Sequence, residues 1–225
     1  MNSSMMDTNM NSSMGNNMSP NMDTNMNMDT NMSMNNTMEP KMGMDAQSPI
    51  QKYQSLLSTN KFVFLVFFRG HWCPFCMGYL RTLTALSPSI TAAGGAVLIV
   101  TAEPSSFLPS TREKTSYTGD AISDTKNELA THLRAKGLLD VAITEKKGYE
   151  HGMAQPAILV QSKEGEVLEK WAIVPSAMNL GGAKDRPELE QVWENVQAKM
   201  AGKMKVHSSY KKIGALSFLW KKIFG

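Results

Sequence analysis

The stretch FVFLVFFRGHWCPFC, residues 62–76, decides how the chain is read. Phe62 to Phe68 is apolar at every position and rich in β-branched and aromatic side chains, the pattern of a strand buried on both faces in a partly parallel sheet. After Arg69, Gly70, His71 and Trp72 come the only two cysteines of the chain, Cys73 and Cys76. Beyond Pro74, a residue tolerated in a first helical turn, Tyr79, Leu80, Leu83 and Leu86 recur at helical spacing. The cysteines therefore sit where a strand ends and a helix begins. A thiol there feels the partial positive charge of unpaired N–H groups, which favours the thiolate and raises its nucleophilicity at neutral pH.

The spacing permits a disulfide within one helical turn, and the intervening proline stiffens that small ring. C-x-x-C beside an α/β pattern, in a chain without an export signal, reads as a thioredoxin-like redox motif. Two plainer readings compete with it. Half of a zinc site would need further ligands, and no second C-x-x-C or H-x-x-x-H exists to supply them. Free cysteines are also often simply buried in a core.

Composition divides the 225 residues into three blocks. Residues 1–49 are rich in Met, Asn, Ser, Thr and Asp with a net charge of −4; residues 50–202 resemble a globular domain at +1; residues 203–225 carry six lysines and no acid, for +3 overall. Asp-Thr-Asn-Met repeats at 7–10, 23–26 and 29–32. With no aliphatic or aromatic residue except methionine before Pro49 other than alanine, the first block reads as a disordered low-complexity tail. Clustered thioethers also suit Cu(I), and Met26, Met28, Met32, Met34, Met38, Met42 and Met44 are the candidate ligands. No apolar run approaches the ~20 residues of a membrane-spanning helix, and the N-terminus lacks the apolar core of a signal peptide. The expected compartment is the cytoplasm, where thiols are kept reduced.

Through the middle block the pattern predicts a helix or loop at 50–57, strand 62–68, helix 74–86, strand 96–101, a polar stretch 104–119 and a helix from about Ser123, as its cap, to Lys136. Short strands follow at 141–144, 157–161 and 167–174, the last two joined as a hairpin through Gly165. Pro187 opens a final helix, capped by Asp185, with Leu189, Val192, Trp193 and Val196 as its apolar stripe. The fold class is α/β: a central mixed sheet flanked by helices.

This element order, with Phe67-Phe68-Arg69-Gly70-His71-Trp72-Cys73-Pro74-Phe75-Cys76, the strand 96–101 followed by Ala102-Glu103-Pro104, the segment Ile122-Ser123-Asp124, and GMAQPAILVQ at 152–161, resembles the thioredoxin fold over residues 50–200. More narrowly it resembles the peroxiredoxin-like branch of the alkyl hydroperoxide reductase and thiol-specific antioxidant family. The resemblance implies an enzyme of antioxidant thiol chemistry that reduces a peroxide or a disulfide. Electrons would return from a thiol donor, glutathione or a thioredoxin-type protein, without metal or organic cofactor; a homodimer is a candidate assembly.

The family word P-x-x-x-T-x-x-C puts a peroxide-attacking cysteine at Cys76, but its threonine becomes Cys73, its proline Arg69 and its distant strand arginine Gln155. Trp72-Cys73-Pro74-Phe75-Cys76 instead resembles the thioredoxin word W-C-x-x-C, which implies that Cys73 attacks and Cys76 resolves. Gln155-Pro156 resembles the cis-proline that aligns an extended substrate beside that dithiol. The expected function is thiol–disulfide exchange by Cys73 and Cys76; the alternatives are a thiol peroxidase with Cys76 attacking, and a redox-inert interaction module with a copper-binding tail. Around the pair, Trp72 covers the sulfurs, His71 shuttles a proton or is idle, and Arg69 holds the thiolate or a substrate carboxylate or is merely solvated. His151 lies near in sequence order but is a weaker candidate.

For the basic extension, a helix over 213–224 would gather Ile213, Leu216, Leu219, Trp220, Ile223 and Phe224 on one face opposite Lys211, Lys221 and Lys222. Docking on its own domain or on a second subunit is preferred to an anionic membrane surface, and no aromatic platform suggests nucleic acid. Deleting residues 1–46 should leave thermal stability and dithiol chemistry nearly unchanged and abolish any Cu(I) binding, as measured by anaerobic competition with a colourless chelator.

Overall fold

The computed structural model describes residues 47–213. Helix α1 (Pro49–Thr59) begins at Ser48, which exchanges hydrogen bonds with Gln51 as a capping box. Strand β1 (Phe62–Phe67) is buried at all positions, as its unbroken apolar run predicts. Helix α2 (Pro74–Ala92) outlasts the expected end at Leu86 and runs through Pro88. There follow β2 (Gly95–Thr101), α3 (Leu108–Thr115), β3 (Asp120–Ser123), α4 (Glu128–Ala135), β4 (Ile143–Thr144), β5 (Met153–Ala154), β6 (Ala157–Ser162), β7 (Val167–Ala172), β8 (Arg186–Pro187), α5 (Leu189–Met200) and β9 (Lys212–Ile213).

The main sheet has the order β3-β2-β1-β6-β7. Its first three strands are mutually parallel, while β6 runs antiparallel to β1 and β7 to β6. Because side chains alternate across a strand, β1 feeds both layers. Phe62, Phe64, Val66 and Phe68 join Leu80, Leu83 and Ile90 of α2 and Val192, Trp193 and Val196 of α5. Val63, Leu65 and Phe67 face the other way, with Tyr53 of α1 and Leu129 and Leu133 of α4.

Several expectations are corrected. The polar stretch 104–119 contains α3. Ser123 ends β3 instead of capping a helix; Asp124, 2% exposed, accepts from the N–H groups of Glu128, Leu129 and Ala130 and caps α4. Pro187 lies in β8, so the final helix starts at Leu189, and Asp185 takes a left-handed φ of 66° with no capping role. The expected C-terminal amphipathic helix does not begin at Ile213, which is in β9 and packs against the core. Before that strand the extension lies on α5: Asn195 donates to the His207 carbonyl and the Tyr210 hydroxyl and accepts from the His207 N–H. The methionine-rich tail with its copper candidates, and the remainder of the proposed helix, lie outside the described residues. Among those described, no helix is long and apolar enough to cross a membrane.

Asp124→Ala would leave three helix-start donors, two of them buried, without their acceptor, and should lower unfolding free energy by about 2 kcal/mol. Denaturant titration measures this, and Asp124→Asn should recover part of the loss.

Candidate active site

The end of β1 delivers the cysteine turn to the N-terminus of α2. Cys73 occupies the cap position of that helix, its Sγ accepting from the Cys76 N–H at 3.3 Å. Both sulfur-bearing residues are buried, Cys73 at 1% exposure and Cys76 at 0%, and both are free thiols. Glu103 braces the turn, accepting from the His71 N–H at 2.7 Å and pairing with His71 Nδ1 at 2.9 Å. This explains Gly70: a Cβ there would lie 2.5 Å from the Glu103 carboxylate and 2.6 Å from the Trp72 indole nitrogen.

Arg186 reaches the sulfurs from far along the chain. Its Nη2 donates to Cys76 Sγ at 3.3 Å and lies 4.0 Å from Cys73 Sγ. The guanidinium is buried, its residue 2% exposed, over the Tyr79 ring at 5.5 Å. Strand β8 is fixed by the Asp185 N–H on Ile213 O, the Glu188 N–H on Lys211 O and the Tyr79 hydroxyl on Pro187 O. Sequence reasoning passed over Arg186 as the approach to a helix. No local signal marks it, since its partner Cys76 is 110 residues away.

Burial opposes ionisation of Cys76. The hydrogen bond from Cys73, the charge and N–H of Arg186 and the Arg69 backbone N–H outweigh it, and hold the Cys76 thiol well below its usual range. Cys73 moves the other way, pushed up by its hydrogen bond to Cys76, by burial and by the neighbouring thiolate charge. Two thiols this close share a proton, and Arg186, nearer to Cys76 than to Cys73, favours the negative charge on Cys76.

Pro74 is in the first turn of α2, and Trp72, 37% exposed, stands beside the Tyr149 ring and under the Arg69 guanidinium. The Arg69 side chain donates to Met153 Sδ at 3.1 Å, so only its backbone serves the thiolate. His71 is engaged by Glu103 and stacked on Phe107. Gln155 is buried and donates to Thr144, its Oε1 lacking a hydrogen-bond partner. It does not stand in for an arginine at the sulfurs, a place Arg186 fills. Pro156 is buried just before β6, where its carbonyl accepts from the Ile173 N–H. His151 belongs to a separate depression with Lys126, Asn127 and Tyr149. Among the described residues no cluster of three or more His, Cys, Asp or Glu is placed to hold a metal ion.

Residues 40–170, more than half of the chain, match the model of the AhpC/TSA family. Among solved structures, a cysteine-to-serine mutant of peroxiredoxin 6 from Arenicola marina is similar at 12% identity over 66% of this chain and 64% of that one, with a TM-score of 0.51. Mycobacterium tuberculosis AhpC gives 14% identity over 67% and 75% of the two chains, with a TM-score of 0.49. No curated protein sequence matches significantly. The chain belongs to the AhpC/TSA family, and it is a thiol-dependent oxidoreductase of thioredoxin-like fold.

Ultraviolet thiolate absorbance should show one thiolate per reduced chain, with its midpoint on the acid side of neutrality, and thiol reactivity should fall as pH drops through that midpoint. Arg186→Met should raise the midpoint by about 1–3 pH units, the effect of losing an opposite charge at contact.

Proposed function

We propose that this protein is a thiol peroxidase in which Cys76 attacks the peroxide and Cys73 resolves the product. The observation that carries this is the Arg186 Nη2 at 3.3 Å from a Cys76 sulfur with 0% exposure. A buried thiolate suits a small oxidant better than the disulfide of a folded protein, which would have to reach a sulfur enclosed on all sides. The sequence preference for Cys73 as nucleophile weakens for the same reason: Cys73 holds its proton more tightly than an ordinary thiol.

The Cys76 thiolate attacks the terminal oxygen of R–O–OH, the O–O bond breaks, and Cys76 becomes a sulfenic acid. The departing alkoxide takes a proton and leaves as ROH. Arg186 lies where negative charge passes from sulfur to the departing oxygen, and a fixed donor in such a place typically contributes about 10²–10³ in rate. Cys73, losing its proton, then attacks the Cys76 sulfur and expels hydroxide, which leaves the Cys73–Cys76 disulfide. A thiol donor with two electrons restores the dithiol.

Rapid mixing of the reduced protein with hydrogen peroxide and with a model disulfide tests the reading, the peroxide being expected to react faster. Cys76→Ser should abolish peroxide consumption. Cys73→Ser should keep one turnover and stop at a sulfenic acid that a cyclic dione traps. If Cys73→Ser abolishes the first step and Cys76→Ser accumulates a mixed disulfide, the thiol–disulfide exchange reading replaces this one.

A further inference from the structure

Arg186 keeps its place beside the sulfurs with few directed bonds of its own. Its Nη2 donates to Cys76 Sγ at 3.3 Å, while its Nε is buried without a hydrogen-bond partner. Its backbone belongs to β8, a strand of two residues whose sheet partner is the equally short β9. A two-stranded ribbon of that length is marginal by itself, so a fixed separation of guanidinium and sulfur needs a further anchor.

Tyr79 supplies one. It follows Cys76 by three residues on α2, about 4.5 Å along the axis, and residues at that spacing share a helix face. Its hydroxyl donates to the Pro187 carbonyl at 2.9 Å, and the Arg186 guanidinium lies over its ring at 5.5 Å. With the residue only 5% exposed, no water stands ready to replace that carbonyl. One side chain therefore grips the arginine twice, through the peptide that follows it and through the face of its cation, from the same helix that carries the attacking sulfur. The phenol also keeps its proton. Burial holds it above the ordinary tyrosine range, against the lowering charge of Arg186, and Glu190 and Tyr210, the other ionisable groups near it, add to the rise. The hydroxyl donor is present at every pH where Cys76 titrates.

Resting on the reading of Cys76 as the charged, attacking cysteine, we infer that Tyr79 is a positioning residue for the reaction: its hydroxyl on Pro187 and its ring against the guanidinium set where Arg186 stands relative to Cys76 Sγ. The phenol touches neither sulfur in this role. It acts through the arginine, and the arginine stabilises the thiolate.

Tyr79→Phe keeps the ring and removes the hydroxyl. In the full-length reduced protein, ultraviolet absorbance should place the thiolate midpoint higher by about 0.5–1 pH unit, the effect of one lost hydrogen bond. Below the midpoint the thiolate fraction, and with it the rate constant for hydrogen peroxide, should fall by about three- to tenfold. Tyr79→Leu, which removes the ring as well, should move the midpoint further in the same direction. In an Arg186→Met background Tyr79→Phe should add nothing, because the phenol acts through the guanidinium. An unmoved midpoint in both Tyr79 variants, or a shift of equal size with Arg186 absent, would overturn the assignment, and lower unfolding free energy with an unmoved midpoint would leave Tyr79 a packing residue alone. The titration uses no peroxide, so the two readings fail separately: if no peroxide is consumed but Tyr79→Phe shifts the midpoint only when Arg186 is present, the positioning role stands and the peroxidase reading falls.

Discussion

A guanidinium buried at 2% exposure is tolerable only beside an anion, and in this protein the Arg186 charge faces the two sulfurs at the start of α2. Withdrawing such an ion from water costs several kcal/mol, repaid only by close charge and well-directed hydrogen bonds. The surrounding architecture serves that condition. Tyr79 offers its ring to the guanidinium and its hydroxyl to Pro187, while the left-handed turn at Asp185 brings β8 across the end of α2. Strand β9 then pairs with β8, which gives the basic extension after α5 a structural purpose: it closes the ribbon that holds Arg186.

The same contact breaks the symmetry between the cysteines. The helix N-terminus favours a thiolate at either position, and two sulfurs within hydrogen-bond reach will share a single proton. Arg186 stands closer to Cys76 than to Cys73, and the Arg69 backbone N–H also points to Cys76. The negative charge therefore settles on the deeper sulfur, while Cys73 keeps the proton and donates it to its neighbour. A motif that fixes two cysteines does not by itself say which one is charged; a residue from another part of the fold does.

That distinction explains what was legible in the sequence. The unbroken apolar run of β1, the helical spacing after Pro74 and the cysteine spacing are local, and each leads directly to the observed strand, helix and dithiol. Ser123 reads as the cap of a helix beginning there, but pairing with β2 keeps it in β3; α4 begins only at Glu128, after a left-handed Asn127, and the Asp124 carboxylate reaches back to its first N–H groups. Asp185-Arg186-Pro187 has the composition of a helix start, and nothing nearby reveals that a strand from residues 212–213 captures it instead. Gln155 falls at the arginine position of the family word by sequence order alone. In space, the arginine comes from β8 and not from the segment that enters β6.

Charge balance also bears on the product of the proposed reaction. Once Cys73 and Cys76 are joined, neither sulfur carries charge, and the buried Arg186 loses its contact with a thiolate. The reduced state is favoured by the thiolate–guanidinium contact and the oxidised state has no equivalent. By linkage, stabilising the reduced form of a dithiol makes its disulfide the stronger oxidant. In the proposed cycle the arginine that would promote attack on the peroxide would therefore also make return of the disulfide to the dithiol more favourable, so that a single buried cation assists both halves.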